Sequence, residues 1–368
     1  MKMQTQRKTA LALCAAICAL GLGISATADD RKPTIITFDA PGSVGGTSAQ
    51  DIGPTGAITG YFLDANNVFT GYLRAPDGTF TVFVAPAAGT ASYQGTFPTS
   101  INAEGAIAGY YFDPTWADHG FLRSRDGVIT TVDVPGAIYT EAYNINARGE
   151  IAGNYVDSSY VYQGFLLAPD GAFTTFSAPG AGTGTWQGTF TASVDALNQA
   201  GWVTGGFLDA NSVWHGYVLA PDGAFSTFDA PGAGAGPYQG TNPSGINPAG
   251  TVPGYYTDAN GVFHSYVRSP RGSITTFDVE GAGTASGQGT FAECINPAGQ
   301  IPGNYVDANG VSHGFVRAPN GAITTFDVKG AGTASGQGTY GYSNNPAGLV
   351  IGTYSDGNNL SHAFLLIS

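Results

Sequence analysis

A segment close to Thr-Phe-Asp recurs seven times in this sequence, and its period constrains the fold more than any other feature. The central residues of the segment are Phe38, Phe83, Val132, Phe176, Phe228, Phe277 and Phe326, which lie 44 to 52 residues apart. A turn glycine recurs at Gly56, Gly105, Gly149, Gly201, Gly250, Gly299 and Gly348, and six of these precede the next segment by 27 residues. All variation in length therefore falls in the other part of each repeat. Self-similarity at this period indicates a repeat architecture.

Each repeat has four short stretches of strand-forming residues, bounded by Gly, Pro, Asn or Asp. In the sixth repeat we predict strand a near 290–295, strand b near 300–306, strand c near 313–317 and strand d near 322–328. The turns between them are short, which requires antiparallel neighbours. Only the longer connection from strand d to the next strand a can pass between sheets. This pattern predicts an all-β fold, a seven-bladed β-propeller of four-stranded blades.

The two ends of the sequence complement each other. The seventh repeat stops after its strand c, near 362–366, whereas residues 33–39 form a strand d without partners in its own repeat. We therefore predict that the N-terminal strand completes the last blade and closes the ring. A stacked solenoid would need no such complement. The d–a and b–c connections should share one face, here called the tip face, and the a–b and c–d turns should share the other, the turn face.

Residues 1–28 have the pattern of a secretory signal peptide. Basic residues precede an apolar run at 10–24, and Ala26-Thr27-Ala28 is a small-residue cleavage site. We therefore expect an exported protein, periplasmic or extracellular, with residues 29–368 as a single propeller domain. Its only cysteine would be Cys294, which excludes a disulfide within the chain.

Charge and hydropathy limit the partners. Without the predicted signal peptide the chain has 10 basic and 26 acidic residues, a net charge of −16. Nucleic acid and anionic membrane surfaces would repel such a protein, so we expect neither as a partner. No later apolar run reaches the roughly 20 residues of a membrane-spanning helix, so we expect no membrane insertion.

The d–a connections contain a pattern that fits sugar recognition. Binding residues usually lie on variable loops held by a rigid scaffold, and several of these loops read aromatic-Gln-Gly-Thr or Gly-Gln-Gly-Thr. Aromatic faces stack on sugar rings and amides hydrogen-bond to hydroxyls. We predict as ligand-binding residues Tyr93, Gln94, Trp186, Gln187, Tyr238, Gln239, Gln288 and Gln337. The alternative is that Gln and Thr cap the start of strand a and the aromatic residue covers the loop, because buried backbone groups of a turn must find partners.

The third repeat departs from this pattern at residues 139–143, and so do the b–c turns at 113–118 and 157–162. Together they predict an aromatic patch with carboxylates on the tip face, either a sugar cleft or an acid–base pair. The binding candidates are Trp116, Tyr139 and Tyr160, and the catalytic candidates are Glu141 and Asp118. The alternative is divergence of exposed turns, which tolerate change.

The five histidines occupy one position of the repeat, the start of strand c. They are His119, His215, His264, His313 and His362, and each follows an aspartate of strand b by six residues. Because the pair recurs from repeat to repeat, we predict a structural cross-strand hydrogen bond. We expect neither a metal nor a cofactor.

The triplets His362-Ala-Phe364, His119-Gly-Phe121 and His313-Gly-Phe315 resemble the motif of a bacterial extracellular repeat family named for its His-Ala-Phe (HAF) triplet. The resemblance covers nearly the whole chain after the signal peptide. It implies export and a repeat β-fold, and it implies no defined activity.

Two functions remain open from the sequence. The first is a non-catalytic binding module for a glycan or a surface partner. The alternative is a carbohydrate-active enzyme, a polysaccharide lyase or hydrolase. Four arginines that a lyase could use are expected toward the turn face, away from the candidate site, which argues against a lyase: Arg74, Arg123, Arg268 and Arg317.

Overall fold

The recurring strand-forming segments fold as predicted into short β-strands. A computed structural model describes residues 33–192 and 195–367. The predicted signal peptide, residues 1–28, lies outside the described residues. The described strands belong to one compact body, Pro33–Ser368. Among the described residues, no helix has the length and apolar character needed to cross a membrane.

The strands form four-stranded antiparallel groups, here called units. The first strand of the chain is β1 (Thr34–Phe38). Unit 1 contains β2 (Thr47–Ile52), β3 (Ile58–Leu63), β4 (Phe69–Arg74) and β5 (Phe80–Phe83). Unit 2 contains β6 (Gly95–Ile101), β7 (Ile107–Phe112), β8 (Asp118–Arg123) and β9 (Ile129–Val132). Unit 3 contains β10 (Tyr139–Ile145), β11 (Ile151–Val156), β12 (Tyr162–Leu167) and β13 (Phe173–Phe176).

The later units repeat this order. Unit 4 contains β14 (Gly188–Thr191), β15 (Val203–Leu208), β16 (Trp214–Leu219) and β17 (Phe225–Phe228). Unit 5 contains β18 (Gly240–Pro243), β19 (Val252–Thr257), β20 (Phe263–Arg268) and β21 (Ile274–Phe277). Unit 6 contains β22 (Gly289–Ala292), β23 (Ile301–Val306), β24 (Ser312–Arg317) and β25 (Ile323–Phe326). Unit 7 contains β26 (Gly338–Asn344), β27 (Val350–Ser355), β28 (Ser361–Ile367) and β1.

The N-terminal strand β1 is the fourth strand of unit 7. It pairs antiparallel with β28, with Thr34 opposite Ile367 and Phe38 opposite Ala363. Beyond the last pair, His362 Nδ1 lies 2.9 Å from a carboxylate oxygen of Asp39. The two ends of the described chain are therefore joined by a strand ladder and a side-chain contact.

The core of each unit depends on an aromatic side chain of the third strand. The fully buried members of this set are Tyr72, Phe121, Phe165, Tyr217, Tyr266, Phe315 and Phe364. In each unit the aromatic ring packs over a glycine of the second strand. At Gly109, for example, an added Cβ would lie 2.7 Å from the ring of Phe121. The same Cβ would lie 2.3 Å from the carbonyl oxygen of Phe97 in strand a, so the glycine of strand b is required both by the neighbouring backbone and by the ring.

Asparagines of the a–b turns link neighbouring units on the turn face. Each side-chain Nδ2 donates to the backbone carbonyl at the same position of the next unit: Asn102 to Asn146 (3.0 Å), Asn146 to Asn198 (3.3 Å), Asn198 to Asn247 (3.1 Å), Asn296 to Asn345 (3.1 Å) and Asn345 to Gly53 (3.4 Å). The last link joins unit 7 to unit 1. The recurring Asn-x-x-Gly turns thus hold the units side by side around a cavity of about 290 Å³. This all-β arrangement fits a β-propeller.

Candidate functional site

The predicted tip face exists, because the d–a loops and the b–c turns contact each other. The backbone N–H of Tyr93 donates to the carbonyl of Asn67 at 2.6 Å. Trp186 and Tyr160 are joined in the same way at 2.7 Å. Each contact brings a position of the d–a loop beside the last residue of the b–c turn in the same unit. The two variable segments of the repeat therefore form one surface.

The aromatic binding candidates on this surface have an unusual backbone conformation. Positive φ angles of 60° to 69° occur at Tyr93, Trp116, Tyr160, Trp186 and Tyr238, whose side chains are 44% to 69% exposed. Bulky residues rarely adopt this conformation because it brings Cβ against the backbone. Glycine serves at the same positions of units 5 and 6, at Gly261, Gly287, Gly310 and Gly336. Large exposed rings that replace glycine there point to a role in function.

These rings lie on units 1 to 4. Tyr160 and Trp186 meet edge to face, with ring centroids 5.5 Å apart. Trp116 lies against Phe112 at 5.7 Å, and Tyr93 lies near Phe69 at 6.3 Å. The tip face is thus aromatic on one side and glycine-rich on units 5 and 6.

The glutamines of the Gln-Gly-Thr pattern hydrogen-bond within the fold. In four of them, Oε1 accepts a loop N–H and Nε2 donates to the b–c turn of the next unit; they are Gln187, Gln239, Gln288 and Gln337. Gln94 Oε1 accepts the N–H of Ala91 at 3.1 Å, and its Nε2 has no partner among the described residues. These contacts correspond to the alternative interpretation of the pattern. Four of the five amides are thus engaged within the fold through both polar atoms, whereas the aromatic rings are exposed.

The junction between units 2 and 3 differs from the others because Tyr139 replaces a glycine. At five other junctions a glycine starts strand a and lies very close to strand c of the preceding unit. A Cβ on this glycine would overlap a backbone carbonyl of that strand c. The five glycines are Gly95, Gly188, Gly240, Gly289 and Gly338. A single parallel bridge joins the two strands there. Among the described strands, β10 and β8 form no such bridge. The two strands nevertheless lie close together, since a Cβ at Gly120 of β8 would be 3.3 Å from the Cβ of Ala142 in β10.

A pocket of about 230 Å³ lies beside Asp118 at this junction. Its walls are Asp118, His119 and the short d–a loop from Asp133 to Ile138. The Oδ1 atom of Asp118 is buried and has no hydrogen-bond partner among the described residues. Within the described part of the chain, this oxygen is one of the buried polar atoms that the fold leaves without a partner.

Glu141 lies beside Asp118 at this junction, so two predicted candidates come together. Burial and then the charge of Glu141 raise the pKa of Asp118 to about 7. Burial raises the pKa of Glu141 as well, although the hydroxyl of Tyr143 donates to its carboxylate. At the same two positions the other units have uncharged residues, for example Phe69 and Phe97. Two like charges close together disfavour each other's ionisation.

Aromatic side chains surround the two carboxylates. Tyr110, which the sequence analysis did not single out, has its ring centroid 6.0 Å from that of Tyr143. Burial and the charge of Glu141 raise the pKa of Tyr110, and burial with the same charge raises that of Tyr162 to about 12. We refer to Asp118, Glu141, Tyr110, Tyr143 and Tyr162 as the carboxylate cleft. Tyr110 follows the glycine of strand b, and Tyr61 and Tyr255 occupy the same position in other units. Because Tyr110 looked like an ordinary residue of the repeat, the sequence did not indicate it as a site residue.

Each histidine lies near the aspartate of strand b but beyond hydrogen-bond distance, and it hydrogen-bonds instead to an aspartate that follows strand d, which was not predicted. In His313, Nε2 lies 3.7 Å from Asp307, whereas Nδ1 lies 2.9 Å from Asp327 of strand d. The ring also stacks on Tyr305, with centroids 4.9 Å apart. The same three contacts recur at His119, His215, His264 and His362. No cluster of three or more His, Cys, Asp or Glu side chains suited to a metal occurs in the described part of the chain.

The sequence matches no protein-family model and no curated protein. Among solved structures, the BP39L lectin from Burkholderia pseudomallei is similar, with 9% identity, 88% of this chain and 96% of that chain covered, and a TM-score of 0.57. AofleA from Arthrobotrys oligospora is 14% identical over 80% of this chain and 90% of that chain, with a TM-score of 0.47. A puromycin hydrolase is 13% identical over 88% of this chain but 55% of its own length, with a TM-score of 0.46. At such identities the likeness to the Burkholderia lectin concerns the fold, and it agrees with an all-β propeller.

Proposed function

We propose that this protein is an exported β-propeller that binds a glycan on its tip face without catalysis. The observation that carries the proposal is the set of exposed rings held at positive φ, Tyr93, Trp116, Tyr160, Trp186 and Tyr238. Exposed aromatic rings offer flat apolar faces at little entropic cost, and stacking on sugar C–H faces uses this property. That the fold resembles that of a lectin supports the proposal.

The same proposal includes the finer architecture and the export. We infer that the units are the seven blades of one ring closed by β1, and that residues 1–28 are a signal peptide of a member of the HAF repeat family. The ladder between β1 and β28, and the hydrogen bonds from Ser343 to Asp51 and from Asn345 to Gly53, support closure between units 7 and 1. The protein would then function in the periplasm or outside the cell.

The test is a glycan array on the purified protein, followed by calorimetric titration of a neutral hit. Trp186→Ala and Tyr238→Ala should each weaken binding about fivefold or more, which corresponds to the roughly 1 kcal/mol of an aromatic contact. Val128→Ala is the control, because Val128 is exposed in a c–d turn on the turn face. Folded tip-face variants that bind neutral glycans as well as the parent protein would refute the proposal.

A second candidate function, glycoside hydrolysis, is favoured by the carboxylate cleft. Hydrolases of this kind use one protonated and one ionised carboxyl group, and the raised pKa of Asp118 would keep it partly protonated near neutrality. Incubating each array hit with the protein and measuring new reducing ends separates the two functions. Cleavage that Asp118→Asn and Glu141→Gln abolish would establish the enzyme, whereas unchanged glycans would leave binding alone.

A further inference from the structure

A second cavity lies on the turn face between units 4 and 5, opposite the proposed binding face. It has a volume of about 430 Å³, within the range of small-molecule sites. Unit 4 contributes Trp202 and Ser226, and unit 5 contributes Arg268 and Arg271. We call it the arginine cavity. Its lining contains two arginines and no acidic residue, in a chain with 26 acidic and 13 basic residues.

The guanidinium of Arg268 is buried in the wall of this cavity without a negative partner. Arg268 is 8% exposed, and its Nη2 donates a hydrogen bond to Ser226 Oγ at 3.1 Å. The group also lies 4.8 Å from the ring centre of Phe228, and its Nε is buried without an acceptor. Neither Arg268 nor Arg271 forms an ion pair within the described residues. A buried charge without a counter-charge is costly, so an anionic ligand would stabilise it.

The repeat provides an internal comparison for Trp202. The residues at its position in the other units are Ala57, Ala106, Glu150, Thr251, Gln300 and Leu349. Only unit 4 has an aromatic ring there, 38% exposed at the rim of the cavity. The scaffold therefore does not require an indole at this turn.

Arg271 departs from its equivalents more sharply. The c–d turns of other units have Asp77, Asp126, Asp170, Asp222 and Asn320 at this position. Several of these side chains cap the turn, as when Asp222 accepts the N–H of Ala224 at 3.1 Å. In unit 5 the matching N–H, of Ser273, donates to Ser269 Oγ instead, at 3.1 Å. Position 271 is thereby freed from capping, and its charge is reversed beside Arg268.

The neighbouring junction has the same hollow without the same charge. Between units 3 and 4 a cavity of about 330 Å³ has Arg148 and Glu150 in its lining, and these two form an ion pair with 2.6 Å between Nη2 and Oε2. Leu219 occupies the position of Arg268 in unit 4. The hollow and the arginine both recur in the repeat, since Arg74, Arg123 and Arg317 occupy the position of Arg268 and lie over the rings of Phe38, Phe83 and Phe277. The arginine cavity is distinguished by its second arginine, Arg271, together with the exposed indole of Trp202.

We propose that the arginine cavity binds a carboxylate-bearing sugar, a uronic acid unit of an acidic glycan. The carboxylate would lie against Arg268 and Arg271, since guanidinium groups suit the geometry of carboxylates. The sugar ring would stack on Trp202. This site does not depend on the proposed glycan binding at the tip face. The net negative charge of the protein does not prevent it, because salt screens charges beyond about 8 Å at physiological ionic strength.

The test compares a galacturonic acid trisaccharide with a neutral galactose trisaccharide by titration calorimetry. Three variants use residues that other units have at the same positions: Arg271→Asp, Trp202→Ala and Arg268→Leu. Each should weaken binding of the acidic trisaccharide at least tenfold, and binding of the parent protein should fall as NaCl rises. The matched control is Arg317→Leu, since Arg317 stacks on Phe277 at 4.9 Å in unit 6 and does not line this cavity.

The outcomes are separable from those of the tip-face test. The proposal is overturned if the acidic trisaccharide does not bind, or if it binds Arg271→Asp and Trp202→Ala as well as the parent. Because Arg271 is exposed at a turn, its variant decides the question even if Arg268→Leu destabilises the fold. Loss of acidic binding in Trp186→Ala alone would also overturn it, by moving the charged ligand to the tip face. Neutral glycan binding that Trp186→Ala weakens would support the proposed function whatever happens in the arginine cavity.

Discussion

At the residue scale, the carboxylate of Asp118 works against the stability of the folded chain. Its pKa is raised from 3.8 to about 7, by burial and by Glu141. The folded protein therefore retains a proton that the unfolded chain has lost, so this group lowers stability as the pH rises from about 4 to about 7. A group that costs stability at neutral pH and recurs in no other unit is best explained by function.

We predict that Asp118→Asn stabilises the protein at pH 8 and leaves its stability at pH 4 almost unchanged. The expected gain is on the order of 1 kcal/mol, because part of the penalty is screened by solvent. Urea unfolding at the two pH values measures it. Asp113→Asn serves as the opposite case: although burial raises the pKa of Asp113, hydrogen bonds from Thr115 and Ala117 lower it overall. Asp113→Asn should therefore lower the stability at pH 8. A gain in stability would contradict the lowered pKa of Asp113.

The recurring histidine contacts lead to a different prediction. His313→Gln should cost only about 1 kcal/mol, the net value of one hydrogen bond, because Gln163 replaces histidine in unit 3 and its Nε2 lies 3.4 Å from Asp157. Glycan binding should not change. Urea unfolding and titration of the array hit check the two statements, and lost binding with an intact fold would mean that the histidine belongs to a site.

The histidines also show which side-chain contacts can be predicted from the sequence and which cannot. The partner on strand b was evident from the six-residue spacing. The closer partner on strand d, such as Asp327, lies 14 residues beyond the histidine and depends on the register of the c–d hairpin, in which Gly314 faces Phe326. Spacing along the chain does not specify that register, although aspartate follows the recurring segment in five of its seven copies, as many as there are histidines, and could have indicated it.

At the element scale, strand positions were predictable because the turn residues recur. The predicted strand c of the sixth repeat, 313–317, corresponds to β24, Ser312–Arg317. Strand a was predicted too long, since 290–295 corresponds to β22, Gly289–Ala292. The ladder ends there because Glu293 and the residues after it leave the pairing; in β10 and β26 the register shifts at the same place. A bulge changes no hydrophobic pattern, so the sequence did not reveal it.

The position of β10 leads to a prediction about the pocket. Tyr139→Gly should allow the parallel bridge to strand c that a glycine forms at the other junctions, and should narrow the pocket beside Asp118. We expect weaker binding of any ligand that uses the carboxylate cleft, with an unchanged or higher melting temperature. Titration together with thermal unfolding tests this.

The reverse substitution is the matched control. Gly188→Tyr should be strongly destabilising, because a Cβ at position 188 would overlap the carbonyl oxygen of Tyr162. If Gly188→Tyr were tolerated as well as Tyr139→Gly, the glycine would not be what allows the parallel bridge between neighbouring strands, and the prediction for the pocket would be wrong.

At the scale of the whole molecule, the proposed ring depends on β1. A chain that starts at Gly42 would lack the ladder to β28 and the contact of Asp39 with His362, and β28 would become an open sheet edge. We predict a sharply lower melting temperature, measured by calorimetry. A truncated chain as stable as the longer one would refute closure.

A circular permutant separates closure from simple loss of residues. Thr34 lies opposite Ile367 in the ladder, so a two-residue Asn-Gly turn can connect the end of β28 to the start of β1. A chain that begins at Gly42 and carries residues 33–41 after this turn should regain the original melting temperature. Failure to regain it, with the strand present, would show that pairing with β28 is not what stabilises the molecule.

The pairing of the first strand with the last also has a consequence in time. At about 5 to 20 residues per second, a ribosome needs roughly 15 to 70 seconds to extend the chain from β1 to β28. Throughout this interval β1 has no partner and could pair with other chains. Three of its five residues, Ile35, Ile36 and Phe38, are apolar, and all five side chains remain partly or fully exposed in the folded molecule. Until β28 is available, this unpaired strand is therefore at risk of pairing with other chains.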